Sequence, residues 1–597
     1  MRASRPWLAA VLILFCLPLF IGLERIDLET DEAIYSFAVD RILETGDWLE
    51  PRSSPSETNV FLEKPPLKFW IVAASIKLGL LPHNEFGLRF WDALAGSAAF
   101  VYVFLIGSLL AGPICGGVAV LLLFVHGPLV FQHGLRTNNM EAALLLAYSG
   151  GMYHLLRWGR IEDARSRRVH AAATGLFFVV AFMTKFVAAF FLPLVAGICI
   201  VSAPAYRAQL VRDRRLWGAV ALLVAALILP WFIYAHVRFG RLLWDVMLGA
   251  HVLVRFTGTL MADHRQPWSF YFISMSQSFG AAGWLVVAGL VTLVVQSIRR
   301  RSAEGAMILV WAVLPILLIS FGTSKLYHYA YPFLPPLTLA AGYVTSLFVM
   351  LAPVPLTNAL QWVEDRLALV PLLRTIPAQP RIVRLIQVII ALSAVLAVAG
   401  AVTERVRFEL PGGSVFRSSG IVRPIVVMMA AGILVRMSAQ VSRVFAVVIA
   451  LSVLPIGAYY ATLKQLPEYK QPLHRAGVCV QELQARGGLT PGLHVNLPSD
   501  DMWHPLYYYL RRIQPWTRYR GEPTDVLNRY LYDPDEWRPV LIGEENYRQF
   551  IHRGGSGVRP AGATPAMITA FDVIVLLPGP YAACSPEAPL HVTRSPR

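Results

Sequence analysis

The sequence predicts an α-helical polytopic membrane protein with about 13 transmembrane helices, followed by a small extracytoplasmic α/β domain. Of the 597 residues, 56% are hydrophobic and only 15% are charged, whereas soluble domains carry roughly 25% charged residues. The apolar residues form long runs without charge, and arginines cluster between these runs. This pattern excludes an ordinary soluble enzyme, and it attributes the net charge of +16 to membrane topology rather than to nucleic-acid binding.

The predicted spans are apolar runs long enough to cross the hydrocarbon as helices, which requires about 20 residues. The first run, 6–23, follows Arg2 and Arg5 and has no clear cleavage site, so we predict a retained helix. The uncharged stretch 93–135 fits two helices that turn at 111–117. Further spans are predicted at 139–156, 171–184, 187–204, 216–237, 276–298, 305–323, 329–350, 385–403, 421–435 and 444–463.

The charge of the short loops predicts the orientation. If the amino terminus is inside, the inner loops carry the arginine clusters at 157–168, 207–215, 299–301, 366–384 and 436–443. Cytoplasmic loops of membrane proteins are enriched in lysine and arginine. We therefore predict a multi-pass protein of the bacterial inner membrane, with a cytoplasmic amino terminus and an extracytoplasmic tail. Loss of the short span 421–435 would move that tail to the cytoplasm.

Two large segments fall outside on this topology. Residues 1–464 form the predicted transmembrane domain, with an outer loop at 24–88 that carries the candidate catalytic motif. In the tail, 465–597, short β-type runs at 493–497, 539–542 and 571–577 alternate with helical stretches such as 503–512, which predicts an α/β domain. The five cysteines include no CxxC pair, and the sequence leaves open whether Cys479 and Cys584 pair.

The outer loop begins with an acidic segment. Apolar residues at 34, 37, 38 and 42 follow it with helical spacing, which predicts an amphipathic helix on the membrane surface, ended by Gly46. Asp31 lies at the start of this helix. It is either an N-cap, whose carboxylate accepts backbone N–H bonds, or a catalytic carboxylate at the membrane interface.

A second cluster follows at 61–70, where Lys64 precedes Pro65 and Pro66. The prolines make the backbone extended and rigid around this cation. Lys64 is either an interfacial lysine that snorkels among aromatic side chains or part of a binding site. Lys185 and Lys325, near helix ends, are explained singly by snorkelling, but with Lys64 and Arg255 they favour an anion site.

Three outer-loop segments carry a resemblance to a known family. Asp31, Glu32 and Tyr35 match D-E-x-x-Y, residues 46–52 match G-D-W-x-x-P-R, and residues 61–70 match F-E-K-P-P-L-x-x-W with one extra residue after the phenylalanine. These segments resemble the signature of GT-C-type membrane glycosyltransferases, particularly the aminoarabinose transferase (lipid A 4-amino-4-deoxy-L-arabinose transferase) and protein O-mannosyltransferase-related family.

The resemblance extends from about residue 20 to 345. Two departures occur along the way, because Glu141 replaces the usual Asp and Phe186-Val187 replaces a frequent Gly-Pro. The further matches are Arg136 and Glu141 to R-T-x-x-x-D, Lys185 to T-K, His251 and Arg255 to H-x-x-x-R, and Lys325 and Tyr329 to S-K-x-x-x-Y.

The resemblance implies an inverting transfer of a sugar from a polyprenyl-phosphate donor on the extracytoplasmic face. It implies that Asp31 is the catalytic carboxylate and that Lys64, Arg255 and Tyr329 hold the lipid phosphate. Glu63 and His251 resemble a pair that binds a divalent metal, which is zinc in the aminoarabinose branch. Further site candidates are Glu32, Tyr35, Arg136, Glu141, Lys185 and Lys325.

The chemistry of phosphate departure agrees with these roles. Preorganised cations in a dehydrated site stabilise the negative charge that develops on the leaving phosphate. If the acceptor is a hydroxyl, Asp31 acts as its base; if the acceptor is an ionised phosphate, Asp31 orients it or stabilises charge on the sugar. We expect no nucleotide cofactor, no nucleic-acid partner and a monomer among membrane lipids.

The acceptor is expected to be a lipid A-like glycolipid. Transfer to a protein by an enzyme of the same fold is the alternative within the enzyme class. A transporter or flippase of a lipid-linked sugar would use the same cations, and a non-catalytic partner subunit is the third possibility. Transporters tend to have two related halves, and we find no internal repeat.

Overall fold

The computed structural model describes residues 15–53, 60–258, 262–300, 302–351, 380–403 and 462–485, with shorter segments between 362 and 431 and between 492 and 577. Internal contacts divide the chain into two units. The first is made of Met1–Ile21, Glu63–Pro65 and Trp91–Leu466, and the second of Gly22–Leu62, Pro66–Phe90 and Pro467–Arg597. Most of the predicted outer loop 24–88 therefore belongs to the same unit as the predicted tail domain.

The helices up to residue 403 carry most of the described chain. In chain order they are α1 (Thr30–Thr45), α2 (Leu67–Lys77), α3 (Glu85–Ala111), α4 (Pro113–Phe124), α5 (Gly127–Phe131), α6 (Glu141–Arg160), α7 (Ala164–Lys185), α8 (Phe191–Ser202), α9 (Pro204–Arg212), α10 (Arg214–Phe239), α11 (Arg241–Trp244), α12 (Arg255–Thr257), α13 (Phe270–Phe279), α14 (Gly283–Arg300), α15 (Ala303–Phe321), α16 (Leu334–Leu351) and α17 (Pro380–Thr403). A π-helix at Asp245–Val254 precedes α12, and a 3-10 helix at Tyr327–Phe333 precedes α16.

Within the described part of the chain, 6 helical stretches are long and apolar enough to cross a membrane. They are Glu85–Ala111, Ala164–Ser202, Arg214–Phe239, Phe270–Arg299, Ala303–Phe321 and Tyr327–Met350. The predicted span 444–463 lies almost wholly outside the described residues, as do much of 421–435 and the first residues of 6–23. The predicted total of about 13 helices therefore stays a prediction.

The predicted turn at 111–117 is confirmed. Helix α3 ends at Ala111, Gly112 adopts a positive φ of 89°, and Pro113 begins α4. A Cβ added to Gly107 would lie 2.4 Å from the Cα of Gly116, so the two helices touch through glycine. However, α4 ends at Phe124 rather than continuing to 135, since Pro128 lacks the N–H needed to prolong it.

In the second unit, helix α1 starts differently from the prediction. Its N-cap is Glu29 rather than Asp31, and Glu29 and Glu32 form a reciprocal capping box in which the Glu29 N–H donates to Oε2 of Glu32 at 2.9 Å. Asp31 is the second residue of the helix, so the N-cap interpretation of Asp31 is wrong. Gly46 ends the helix in the left-handed conformation, as predicted.

The polar side of α1 is enclosed rather than solvated. Asp40, on the side of the helix opposite the apolar stripe, is 2% exposed. Its carboxylate accepts a 2.7 Å hydrogen bond from Nε2 of His83 and pairs with Arg511. The helix therefore packs against α2 and a tail helix of the same unit, and it is not simply a surface helix.

Polar contacts tie the start of the outer loop to the tail within this unit. The carboxylate of Asp27 accepts N–H bonds of 2.7 and 3.2 Å from Leu473 and His474, at the start of α18 (Pro472–Ala485). The hydroxyl of Tyr509 donates to Glu85 at 2.8 Å and accepts from the Leu28 N–H at 2.9 Å. These bonds explain why loop and tail share one unit.

The rest of the tail contains a mixed sheet with flanking helices. A separate antiparallel pair, β1 (Arg405–Glu409) and β2 (Val415–Ser419), precedes it in the chain. The sheet order is β4-β3-β5-β7-β6, in which β3 pairs parallel with β4 and β5, and the other pairs are antiparallel. The elements are β3 (Leu493–Asn496), α19 (His504–Leu510), β4 (Trp516–Arg518), α20 (Thr524–Tyr532), β5 (Val540–Gly543), α21 (Glu544–Arg553), β6 (Ala566–Ala570) and β7 (Val573–Leu577).

Helices α20 and α21 cover this sheet through a small apolar core. Leu527 and Leu531 of α20 and Phe550 of α21 pack with Ile542 and Leu576 of the strands. The three predicted β runs coincide with β3, β5 and β7, whereas β4 and β6 were not predicted. Cys479 is disulfide-bonded, and Cys584, the partner that the sequence suggests, lies outside the described residues.

Candidate active site

The first unit contains a cavity of about 450 Å³ that is lined by both apolar and polar side chains. The apolar part includes Phe186, Phe191, Phe256, Leu318 and Phe333. Ligand cavities of this size commonly bury a small molecule or part of a larger one. The polar side chains that line it are Glu63, Lys64, Lys185, His251, Arg255, Ser324, His328 and Tyr329.

Glu63, Lys64 and His251 meet at the polar end. Lys64 is 7% exposed, and its Nζ lies 3.7 Å from Oε2 of Glu63. Nε2 of His251 lies 3.3 Å from the same oxygen. The structure thus brings together the predicted metal pair, Glu63 and His251, and the predicted phosphate ligand Lys64. His251 is far from the other two residues in the sequence, but the fold places all three side by side.

The surrounding charges keep Glu63 ionised. Burial by itself would raise its pKa, but the hydrogen bond from His251 and the cations Lys64 and Arg255 hold that pKa well below its usual range. Burial lowers the pKa of His251, which favours the neutral imidazole at pH 7. The end of the cavity is therefore cationic through Lys64 and Arg255, with one carboxylate between them and the imidazole.

Arg255 and Tyr329 form the second polar contact. The guanidinium of Arg255 donates a hydrogen bond to the hydroxyl of Tyr329. His251 and Arg255 are four residues apart across the π-helix and α12, so they are separated by about one helical turn. Arg255 and Tyr329, two of the three predicted phosphate ligands, are therefore in contact with each other at the same cavity.

Lys325 makes a different kind of contact from the predicted one. Its ammonium group donates to the backbone carbonyls of Gln266 at 2.9 Å and Gly322 at 2.5 Å, and the residue is 3% exposed. The neighbouring Ser324 N–H donates to the carbonyl of Arg255 at 2.9 Å. These contacts fasten the loop after Arg255, and they do not direct the ammonium group of Lys325 into the cavity.

Lys185 and Glu141 form a buried pair beside the cavity. Nζ of Lys185 lies 2.6 Å from Oε1 of Glu141, which is 3% exposed. The same ammonium group lies 5.0 Å from the ring centroid of Tyr329. Glu141, which replaces the family's usual Asp, therefore reaches Lys185, and Lys185 adds a third cation to the cavity wall.

Arg136 is a structural anchor in the first unit. Its guanidinium donates to the carbonyls of Pro18 and Ile21, the second bond being 2.7 Å long. It is 5% exposed and is not among the residues that line the cavity. These bonds hold the end of the first predicted span.

Asp31, Glu32 and Tyr35 belong to the second unit. Asp31 is half-buried in the first turn of α1. Glu32 is fully buried and forms a bidentate ion pair with Arg89, whose Nε donates to Oε1 at 2.7 Å and whose Nη2 donates to Oε2 at 2.6 Å. Tyr35 packs edge-on against Phe61, with 6.0 Å between the ring centroids. Glu32 and Tyr35 thus have structural contacts.

Sequence reasoning missed Arg89, His133 and His328. Arg89 donates three more hydrogen bonds to the carbonyls of Leu23, Ile26 and Asp27. Its sequence signal was a cation at the start of an apolar span, where a charge needs a partner. No local pattern marked the two histidines, because their proximity arises from the fold.

Comparisons with known proteins agree with this geometry. Residues 63–234 match the family described as dolichyl-phosphate-mannose-protein mannosyltransferase. An undecaprenyl phosphate-alpha-4-amino-4-deoxy-L-arabinose arabinosyl transferase of Sodalis glossinidius is 27% identical over 340 residues, which is 57% of this chain and 58% of that protein. The corresponding protein of Pseudomonas savastanoi is 27% identical over 56% of this chain and 59% of its own length.

Two solved structures share the fold. ArnT from Cupriavidus metallidurans bound to undecaprenyl phosphate superposes with a TM-score of 0.56 at 17% identity, over 96% of this chain and 98% of its own. The chain is similar to the aminoarabinose transferases. The oligosaccharyltransferase of Archaeoglobus fulgidus has a TM-score of 0.50 at 11% identity, over 94% of this chain and 73% of that one.

The resemblance inferred from the outer-loop motifs is thus confirmed, and so is a GT-C-like helical membrane fold. In sequence, the chain matches less than two thirds of the length of these curated relatives. The chain is a multi-pass membrane protein, as its long apolar helices indicate.

Proposed function

We propose that this protein is an inverting glycosyltransferase that moves a sugar from a polyprenyl-phosphate donor to an acceptor of the cell envelope. The observation that carries the proposal is the division of the cavity. Lys64, Lys185 and Arg255 supply three cations at its polar part, and aromatic and aliphatic side chains line the rest. A polyprenyl phosphate has the same division into an anionic head and an apolar chain.

Lys64, Arg255 and Tyr329 are the proposed phosphate ligands. The guanidinium offers a planar fork and the ammonium a compact charge, so together they suit a phosphate that gains negative charge as it leaves. One preorganised donor to a developing oxyanion contributes about 3 kcal/mol to the transition state. Lys64 and Arg255 beside the leaving oxygen are therefore expected to supply a large part of the rate enhancement.

Asp31 is the proposed base. An acceptor hydroxyl attacks the anomeric carbon from the face opposite the phosphate, and its proton passes to the Asp31 carboxylate as the carbon–oxygen bond to phosphate breaks. Attack from the opposite face inverts the anomeric centre. The lipid phosphate leaves with the bonding electron pair, so no redox partner is required.

The acceptor and the orientation are parts of the same proposal. The relatives' names specify 4-amino-4-deoxy-L-arabinose on undecaprenyl phosphate, which supports a polyprenyl-phosphate sugar as the donor here. The acceptor that we propose for it is a lipid A-like glycolipid. We propose a bacterial inner-membrane protein with a cytoplasmic amino terminus. The sheet and helices of the tail would then form an extracytoplasmic α/β domain, next in the chain to the last of about 13 spans.

A divalent metal at Glu63 and His251 would add positive charge near the phosphate. These residues supply two of the four ligands of tetrahedral zinc, and Glu63 is ionised and His251 neutral, as metal ligands must be. Among the residues described, no group of three or more His, Cys, Asp or Glu side chains could hold a metal ion. Water or donor oxygens would have to supply the other ligands, so no step of the mechanism is assigned to a metal.

Purified protein in detergent, without vesicles, tests the proposal directly. With a polyprenyl-phosphate sugar and lipid A, we expect stoichiometric release of polyprenyl phosphate and a glycosylated acceptor by mass spectrometry. A flippase would show no chemistry in this assay, and that result would overturn the proposal.

The match of residues 63–234 to protein mannosyltransferases favours one alternative acceptor, a secreted protein. Mass spectrometry of envelope lipids and secreted proteins, with and without the gene, separates the two. Loss of a sugar from protein, with lipid A unchanged, would replace the glycolipid by a protein acceptor.

A further inference from the structure

His328 lies in the cavity wall, and the mechanism above does not use it. Its side chain is 12% exposed, next in sequence to the proposed phosphate ligand Tyr329. Within the part of the chain that the structure describes, its ring nitrogens make no hydrogen bond. An imidazole nitrogen that lines a cavity and makes no hydrogen bond can accept or donate one to a polar group of a ligand.

Neighbouring rings hold the imidazole in place. The ring of His133 stacks on it with 4.6 Å between centroids and 16° between planes. The ring of Tyr329 packs edge-on against the His328 ring, with 4.8 Å between centroids and 87° between planes. His133 itself has a φ of +49°, a left-handed conformation that costs a non-glycine residue free energy and that occurs often at functional sites.

Glu141 is a carboxylate close to the imidazole of His328. Its Oε1 lies 3.8 Å from Nε2 of His328 and 2.6 Å from Nζ of Lys185. A carboxylate near Nε2 favours the tautomer with the hydrogen on Nε2, which leaves Nδ1 as an acceptor. The lone pair on Nδ1 cannot form a hydrogen bond with an ionised phosphate oxygen, because that oxygen is also only an acceptor. It can accept a hydrogen bond from a hydroxyl group.

We propose that His328 binds a hydroxyl group of the donor's sugar through the lone pair at Nδ1. This proposal rests on the proposed function and adds a sugar-contacting residue to its phosphate ligands. Lys185 pairs with Glu141 and lies over the ring of the proposed phosphate ligand Tyr329. The proposed sugar contact is therefore next to the phosphate site. The ligand class is therefore a polyhydroxylated sugar attached to the lipid phosphate.

The test compares two variants of His328 in two assays on the full-length protein. His328→Phe keeps a flat ring for stacking on His133 and loses the acceptor, whereas His328→Gln keeps an acceptor oxygen without the ring. The first assay measures the thermal shift caused by undecaprenyl phosphate, which has no sugar. The second measures kcat/KM with the sugar-bearing donor.

For His328→Phe we expect an affinity for undecaprenyl phosphate within twofold of wild type and at least a tenfold loss in kcat/KM, of which His328→Gln recovers part. A His328→Phe protein with wild-type kcat/KM would overturn the proposal. So would an equal loss in both assays, because that pattern indicates a contact to the phosphate. A wild-type protein that undecaprenyl phosphate does not stabilise would overturn the proposed function, and this inference with it.

Discussion

The ammonium group of Lys325 donates a 2.9 Å hydrogen bond to the backbone carbonyl of Gln266, across the loop that begins at Arg255. A second bond joins it to the carbonyl of Gly322. The Arg255 carbonyl is held by the N–H of Ser324, the residue before this lysine. Lys325 thus holds the loop that follows Arg255 through backbone contacts. The motif that resembled an anion site therefore positions Arg255 and does not place another cation in the cavity.

This relationship predicts coupling between Lys325 and Arg255. Lys325→Met leaves two carbonyls without their donor and frees the loop, so turnover should fall at least tenfold. Because both substitutions disturb the same guanidinium, the Lys325→Met/Arg255→Ala double variant should be little worse than Arg255→Ala alone. A double-mutant cycle on kcat/KM measures the coupling. Losses that multiply would mean that Lys325 contacts the phosphate independently.

Removal of a phosphate ligand should impair turnover and spare folding. Lys64→Ala and Arg255→Ala should each lower the rate by at least tenfold, because each removes a cation from the leaving group's surroundings. Lys64→Arg should restore activity only in part, since the guanidinium fork and the ammonium differ in reach. Steady-state kinetics with a thermal-unfolding control provide the measurement. Near-normal rates in both alanine variants would remove these residues from the site.

Asp31 and its neighbour Glu32 should respond in opposite ways. Asp31→Asn keeps the helix, whose cap is Glu29, and should leave the unfolding midpoint unchanged while turnover falls by roughly 10²–10⁴-fold, the usual contribution of a general base. Glu32→Gln leaves Arg89 buried without its counter-ion and should cost about 3–5 kcal/mol of stability. Thermal unfolding and transfer assays on both variants measure the loss of stability and the loss of turnover separately. An Asp31→Asn enzyme that retains more than about a tenth of the rate is no longer explained by a base at this position.

The contribution of two groups in the second unit to stability should fall as pH rises from 5 to 8. Burial raises the pKa of Asp27 to about 6, and the hydrogen bond with Glu85 raises the pKa of His474 above its ordinary value. A group whose pKa is raised by folding stabilises the native state at low pH, and that contribution is lost as pH rises through the folded-state pKa.

The unfolding midpoint in detergent, measured across this pH range, tests the expectation. The Asp27→Asn/His474→Gln variant should show a flatter pH profile than wild type, because neither replacement titrates. Wild-type and variant profiles of equal slope would contradict the assignment.

The predicted topology has its own test. A reporter fused at residue 520 should be extracytoplasmic, because about 13 spans that begin inside end outside. A cytoplasmic reporter at that position would change the span count between residue 351 and the tail. It would leave the positions of Asp31 and Lys64 unaffected, since these depend only on the first span.

The sequence by itself determined the membrane class, most of the long apolar helices and the candidate residues for the phosphate site. These features are local, because span length, loop charge and a motif such as the Lys64-Pro65-Pro66 run are each read within a short window. The same locality placed Gly46 at the end of α1 and the turn at Gly112. The β runs at β3, β5 and β7 were visible for the same reason.

Only the tertiary structure decided what these side chains contact. Glu32 pairs with Arg89, 57 residues away, and Lys325 bonds to Gln266, 59 residues away. His133 and His328 stack although no sequence pattern connects them. A buried charge needs a partner, but the sequence does not say which distant residue supplies it, because that choice depends on how the helices pack.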